Sequence, residues 1–286
     1  MTEDLDDRLR QLASSNDVDE LVDLGCDLAD ADRYQDAERC FRRAADLGSA
    51  VGAFNLATSL GAQNRWEEAA AAYELAIARG EPDAWRFLGH VLENLGDLAG
   101  AMHAFRGARA AGDLRGGLEL AFLLRDQGEP EQAMEVAEQL AAAGDPKAAG
   151  VVACWRWCTT LDPALEADLR AGADHYPAAR ADLGDLLRET GRPAEARAVL
   201  ERGAKLGEAE SWLPLGNFYA DEMGDEEAAE EAYRGGIAAG EVHCHHNLAY
   251  LLAERGDLEG AVEQFRLGAA RGDQLAAEAL RELERG

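Results

Sequence analysis

Lysine is almost missing from this chain. Lys147 and Lys205 are the only two, and 28 basic residues face 56 acidic ones for a formal net charge of −28. Proteins that grip nucleic acid or anionic lipid do so by bringing cations to phosphates and releasing counterions, so this balance disfavours nucleic acid and membrane surfaces as partners. A Lys-poor, Arg- and Ala-rich composition fits either a GC-rich genome or a salty cytoplasm, and composition does not separate the two. Long apolar runs are lacking as well, and the first residues, Met1-Thr2-Glu3-Asp4-Leu5-Asp6-Asp7, have neither a basic nor an apolar leader segment. A soluble, cytoplasmic protein is expected. Five cysteines in 286 residues do not make a secreted disulfide framework and read as free thiols. Phosphate loops, dinucleotide fingerprints, His-Glu-x-x-His and Gly-x-Ser-x-Gly motifs are absent, and serine occurs only at positions 14, 15, 49, 59 and 211. No enzyme, no cofactor and no small-molecule substrate are expected from this inventory.

What the chain has is a period. Gly followed by a small or acidic residue recurs at Gly48, Gly80, Gly112, Gly144, Gly207, Gly240 and Gly272, about 32 residues apart with one double gap. The gap hides a degenerate unit at 146–175. Eight residues after these glycines, an apolar residue precedes Gly or Ala, as in Leu56-Ala57, Leu88-Gly89, Leu120-Ala121, Val152-Ala153, Leu215-Gly216 and Leu248-Ala249. Leu60, Leu92, Leu124, Leu187, Tyr219 and Leu252 follow one helical turn on, which keeps them on one face. After a second turn, Ala37/Phe41/Ala44, Ala69/Tyr73/Ala76, Ala101/Phe105/Ala108, Ala229/Tyr233/Gly236 and Ala261/Phe265/Gly268 space apolar residues by four and then three, again one helix stripe. Pro130, Pro163 and Pro193 stand where a second helix would begin.

Each unit therefore reads as two short helices joined by a tight turn, too small to bury its stripe alone. The predicted fold is all-α, a right-handed α-solenoid or superhelix of about eight helix-turn-helix repeats of ~32 residues with terminal capping helices. Residues 1–17 are expected to form an N-terminal half-repeat, because Leu5, Leu9 and Leu12 precede Ala37, Phe41 and Ala44 by one period. Residues 18–273 hold the eight repeats, and 274–286 a C-terminal cap in which Leu280 continues the register of Leu248.

The unit resembles a tetratricopeptide repeat, most openly in Trp85-Arg86-Phe87-Leu88-Gly89 and Trp212-Leu213-Pro214-Leu215-Gly216. Its shorter period, its Ala-Gly-Asp and Arg-Gly-Glu closings, and Asn55-Leu56-Ala57 or Asn247-Leu248-Ala249 are similar to Sel1-like repeats. The resemblance implies that first helices line a concave groove, at positions five and two before the Leu of the Leu-Gly or Leu-Ala pair and two and five after it. Those offsets select Arg86, His90, Arg115, Leu118, Phe122, Arg125, Lys147, Cys154, Trp157 and Arg188, interrupted by Asp83, Glu93 and Asp185. Asn217, His246, Asn247 and Tyr250 extend the candidate surface. The carboxylate clamp that some relatives use for chaperone C-termini does not carry over, since Leu213 and His246 stand where its lysines would be.

Residues 146–161 hold Lys147 and Arg156 and no acid, so the groove reads as a basic, aromatic-studded trough for a peptide or protein segment with acidic and apolar anchors. The competing reading is that these arginines pair with nearby Asp and Glu. The expected function is a non-catalytic protein-protein interaction scaffold. The alternative is a metal- or redox-responsive regulator. His243-Cys244-His245-His246 places two imidazoles on one helix face, and Cys154 and Cys158 stand at i and i+4, but the first cluster lacks third and fourth ligands and the second lacks the redox spacing.

Overall fold

The computed structural model describes residues 2–12 and 16–283, with side chains placed from residue 5 onward except at 11 and 12. The Leu12 side chain of the expected N-terminal stripe and residues 284–286 of the expected C-terminal cap lie outside what is described. Every regular element described is helical. Two compact units result, Met1–Leu140 and Ala141–Gly286.

The first unit starts with the lone helix α1 (Thr2–Leu12) and continues through four hairpins: α2 (Val18–Asp30) with α3 (Tyr34–Asp46), α4 (Ala50–Ala62) with α5 (Trp66–Ala78), α6 (Ala84–Asn94) with α7 (Leu98–Ala110), and α8 (Leu114–Asp126) with α9 (Pro130–Ala142). The second unit pairs α10 (Pro146–Thr160) with α11 (Glu166–Gly172), α12 (Pro177–Glu189) with α13 (Pro193–Leu206), α14 (Trp212–Asn217) with α15 (Glu226–Ala239), and α16 (Cys244–Glu254) with α17 (Leu258–Ala270). Helix α18 (Gln274–Leu283) ends it. The all-α hairpin stack expected from the period is what the chain forms.

The recurring Gly-Asp dipeptide is the joint between hairpins. Gly112 ends α7 at φ +91, a left-handed conformation that costs glycine nothing, and the next residue, Asp113, accepts hydrogen bonds at Oδ1 from the backbone N–H of Arg115 and Gly116. Gly144 and Asp145 repeat the device at the start of α10. One dipeptide thus stops a helix and starts the next. Asp32 and Asn64 take the same left-handed turn inside the first two hairpins, which suits their short polar side chains.

The small residue after each Leu admits the partner helix. A Cβ on Gly89 would fall 2.3 Å from the Phe105 ring, and one on Gly216 would fall 2.3 Å from Tyr233. The degenerate unit closes differently, with a Cβ on Gly172 meeting the Gly150 Cα at 2.6 Å. Its α10 is long, its second helix short, and Leu161 between them is left-handed at φ 49. Here Pro163 opens a 3-10 turn, Pro163–Leu165, rather than the helix itself, whereas Pro130 and Pro193 are the first residues of α9 and α13.

At the ends, Leu5 and Leu9 pack on the first unit's core and Arg33 pairs with Asp6 at 2.7 Å. Ala276 and Ala279 of α18 are buried, and Leu280 packs on the core around Leu248. The outward face of α18 is not wholly charged, since Leu275 and Leu283 are exposed.

Candidate partner-binding surface

In four hairpins the first-helix position that follows the Leu by two is backed by the aromatic of the second helix. Tyr73 and Thr58 share a hydrogen bond of 3.0 Å, and Tyr233 donates to Asn217 Oδ1 at 2.9 Å. Where the second-helix ring is Phe, the backing is edge-to-face: Phe105 on His90 at 5.2 Å and Phe265 on Tyr250 at 5.4 Å. The hydroxyl is present where the first-helix residue is Thr or Asn and absent where it is a ring. This matching fixes the surface positions from beneath.

In the first unit, Arg86 is already engaged. Its Nε donates to Asp113 Oδ2 at 2.9 Å, and its guanidinium lies 4.5 Å from the Phe87 ring centroid, a cation-π contact. His90 Nδ1 lies 3.2 Å from Glu93. Arg115 and Arg125 are exposed, Phe122 is half-buried and Leu118 is buried. The expected trough is thus partly neutralised at Arg86 and polar at Arg115 and Arg125.

In the second unit the expectation needs correcting at three places. Trp157 is 3% exposed and Cys154 is equally buried, so both belong to the core and neither is available as a groove anchor. The cause is local: α10 packs against both α11 and α12, and the Gly150–Gly172 contact draws the hairpin tightly together. Lys147 remains exposed. Arg188 is held loosely, with Asp185 at 3.8 Å and Glu222 at 3.9 Å.

Asp185, which the charge count treated only as an interruption, has the most perturbed carboxyl described. Burial by the surrounding helix faces, with Asp182 and Glu189 adding repulsion against the attraction of Arg188, pushes it up to about 6. Nothing in the local sequence separates this aspartate from its many neighbours.

The third correction concerns the histidines. His243 and His246 do not face a common point: His243 Nδ1 lies 3.5 Å from Asp273, while the His246 ring packs edge-on to Tyr250 at 4.8 Å and Phe265 at 5.8 Å. Buried His245 bridges Gln264 at 2.9 Å and Arg271 at 3.1 Å. Because arginine only donates, the His245 Nε2 accepts and Nδ1 carries the hydrogen. No group of three or more His, Cys, Asp or Glu side chains placed to hold a metal ion is found among the described residues. Cys154 is buried and Cys158 exposed, both as free thiols. Burial pushes the Cys244 thiol up to about 12, with Glu241 adding to it, far from the activated range.

Asn217, Asn247, His246 and Tyr250 do come together. Asn247 Nδ2 donates to Asn217 Oδ1 at 2.6 Å, joining α14 to α16. With Tyr233 on the same oxygen, both Asn217 lone pairs are used and its amide group is left to donate. His246 Nδ1 is buried without a hydrogen-bond partner, and Tyr250 beside it is half exposed.

Models of the tetratricopeptide repeat match residues 54–114, and again 114–139, 177–202 and 242–266. The chain has the tetratricopeptide/Sel1-like repeat architecture. Solved structures agree. A Sel1 repeat protein from Oxalobacter formigenes superposes with a TM-score of 0.64 at 21% identity, over 97% of this chain and 89% of that one. A protective antigen of uropathogenic Escherichia coli with an SLR fold gives 0.63 at 20% identity over 97% of this chain, which spans only 66% of the antigen's length. A tetratricopeptide repeat protein from Parabacteroides merdae gives 0.54 at 13% identity, over 92% and 97% of the two chains. No curated protein matches the chain. Tetratricopeptide and Sel1-like repeats generally serve as non-catalytic scaffolds for protein partners.

Proposed function

We propose that this repeat protein is a cytoplasmic, non-catalytic scaffold that binds an extended segment of a protein partner along the exposed faces of its first helices. The observation that carries the proposal is the polar row on α14 and α16. Asn217 and Asn247 are locked in place by each other and by Tyr233, while the Asn217 amide and the buried His246 Nδ1 keep unused hydrogen-bonding capacity. A buried polar atom without a partner costs free energy, and a peptide backbone laid along α14 and α16 would relieve it. Tyr250 supplies the adjoining apolar contact. Within the same unit, exposed Lys147 and Arg188 would hold acidic side chains of that partner, and exposed Arg115 and Arg125 give the first unit, taken by itself, the same kind of contact.

The test uses cross-linking and affinity capture from the native host, followed by quantitative mass spectrometry. A true partner is retained by the wild-type chain and by Arg106→Glu on the second helix α7. It is lost at least ten-fold from the double variant Asn247→Ala/Tyr250→Ala, as expected if two central contacts of roughly 1 to 2 kcal/mol each are removed. Proteins captured equally by all three would show that the first-helix faces are not the binding surface.

A further inference from the structure

The second unit contains a cavity of about 710 Å³ on its other side, between α13 and α15. Its floor is one stripe of α14 and the turn after it, Trp212, Leu215 and Tyr219, and its α15 wall is Ala228, Ala232 and Gly235 with Glu231 and Arg234 beside them. The size falls within the range of small-molecule sites, roughly 300 to 1,000 Å³. We propose that this cavity binds a small organic cation with an apolar body.

Three observations lead there. The first is an inserted residue. Leu88, Leu183 and Leu248 each stand eight residues before the Gly of the next turn, but Leu215 stands nine before Gly224. The extra residue is absorbed as a π-helical turn over Phe218–Glu222, so Asp225 N–H bonds back six residues to Tyr219 O where Asp97 and Asp257 bond back five. Such turns cost backbone regularity, and they recur at functional sites. Here the turn carries Tyr219 at the cavity floor, its hydroxyl donating to Glu201 Oε1 at 3.0 Å.

The second is an uncovered tryptophan. Trp85 and Trp212 occupy equivalent places, each pressed against a glycine, Gly107 or Gly235. Over Trp85 the ring of His103, four residues before Gly107, packs edge-on at 5.9 Å. Four residues before Gly235 stands Glu231, and Trp212 lines open space.

The third is charge. Among the rim groups Glu201 is engaged by Tyr219, by Arg197 at 3.4 Å and by Lys205 at 4.0 Å, and Arg234 is held by Glu230 at 2.8 Å. Glu231 is exposed and has no partner among the described residues. The rim charge left without an ion-pair partner is therefore the Glu231 carboxylate, which lines the same cavity as an indole and a phenol, the combination that attracts organic cations. A net charge of −28 raises the local concentration of such cations. The site lies between the second helices α13 and α15, over the α14 stripe that carries Trp212 and Leu215, and does not depend on the scaffold reading.

Titration calorimetry of the full chain with 4-phenylbutylammonium, 4-phenylbutanol and 4-phenylbutyrate tests this, since the three share a body and differ in charge. The ammonium is expected to bind about ten-fold more tightly than the alcohol, and the carboxylate least. Ala228→Phe, which fills the cavity from a half-buried position, should abolish binding of all three. Glu231→Gln should bring the ammonium to the level of the alcohol, and Glu231→Arg, a surface change outside the core, should place the carboxylate first. Glu263→Gln, an exposed residue of α17 away from the cavity, should change nothing. Absence of saturable ammonium binding to the wild type, equal affinity for ammonium and alcohol, or binding unaffected by Ala228→Phe and Glu231→Arg would each overturn the proposal.

Discussion

Arg180 shows how a single charged side chain can be both buried and necessary. It is 3% exposed, and its guanidinium donates to Glu208, to Asp174 and to the Ala173 carbonyl, each at 2.8 Å. Replacing it by Met leaves Glu208 half-enclosed without its partner, so Arg180→Met should cost about 2 to 3 kcal/mol in urea denaturation, and adding Glu208→Gln should recover part of that. Asp185 works in the opposite sense. Its folded-state carboxyl titrates near 6, above its ordinary value of 3.8, so the folded form holds the proton more tightly and stability is lost as pH rises from about 4 through 6. Asp185→Asn should therefore raise the denaturation midpoint at pH 7 and leave it unchanged near pH 4. The gain is about 1 kcal/mol once solvent access to the partly open carboxyl is discounted. Both residues escaped the sequence, where they are one arginine and one aspartate among many. Their roles come from contacts at long sequence separation, or from crowding by several helices, which no local pattern records. The Asn217 and Asn247 positions were legible because they fall at fixed offsets in a repeat. Trp157 was misplaced by the same offsets, because the degenerate unit does not keep the hairpin geometry that they assume.

Helices and turns were far more legible. Apart from Gly184-Asp185 inside α12, the Gly-Asp and Gly-Glu pairs mark the turns within and between hairpins, and each 4-then-3 stripe marks a buried face, so the hairpins could be counted from spacing alone. The π turn was legible too, though only as one extra residue between Leu215 and Gly224. Removing it tests its origin. Deleting Asp221, which is exposed, should let the segment close as ordinary α-helix with a stability change within about 1 kcal/mol. Deleting Asp182 from the middle of the regular α12 should shift the side chains that follow it in that helix by 100°, buried Leu183, Leu186 and Leu187 among them, and lower the melting temperature by more than 5 °C. Similar losses from both deletions would show that the extra residue is integral to the packing. The C-terminal helix makes a parallel case. Removing residues 274–286 uncovers the core around Leu248 and Phe265, and the truncated chain should melt earlier and aggregate sooner than the intact one.

At the scale of the molecule, charge is organised in a recurring clasp. Arg33 joins Asp36 to Asp6, Arg65 joins Glu68 to Glu38, and Arg192 joins Glu195 to Glu166. In each case one arginine at the start of a second helix ties its own helix to the preceding second helix. These pairs are partly exposed and screened by salt, whereas the repulsion among an excess of 28 negative charges acts over the whole surface. Repulsion wins in this balance. Raising salt from 0.05 to 0.5 M at neutral pH should increase the melting temperature, and near the pI of about 4.5 the increase should vanish or reverse. A fall in melting temperature with salt at neutral pH would mean that the clasps dominate.

The Gly-Asp joint has a consequence for how such a chain can change its length. At Gly112, Gly144 and Gly272 the joint is held by the glycine's backbone and by the aspartate after it, whose carboxylate accepts from the N–H groups two and three residues on, so it carries no memory of which hairpin came before. Excising 49–80 would bring Gly48 directly to Glu81 and leave a dipeptide of the same kind at the seam. Gene duplication or loss in whole-hairpin steps is then structurally silent at the boundary, while any gain that is not a whole hairpin has to be stored somewhere along a helix. The single extra residue between Leu215 and Gly224 is such a stored remainder, and it sits beside the cavity floored by Trp212 and Tyr219.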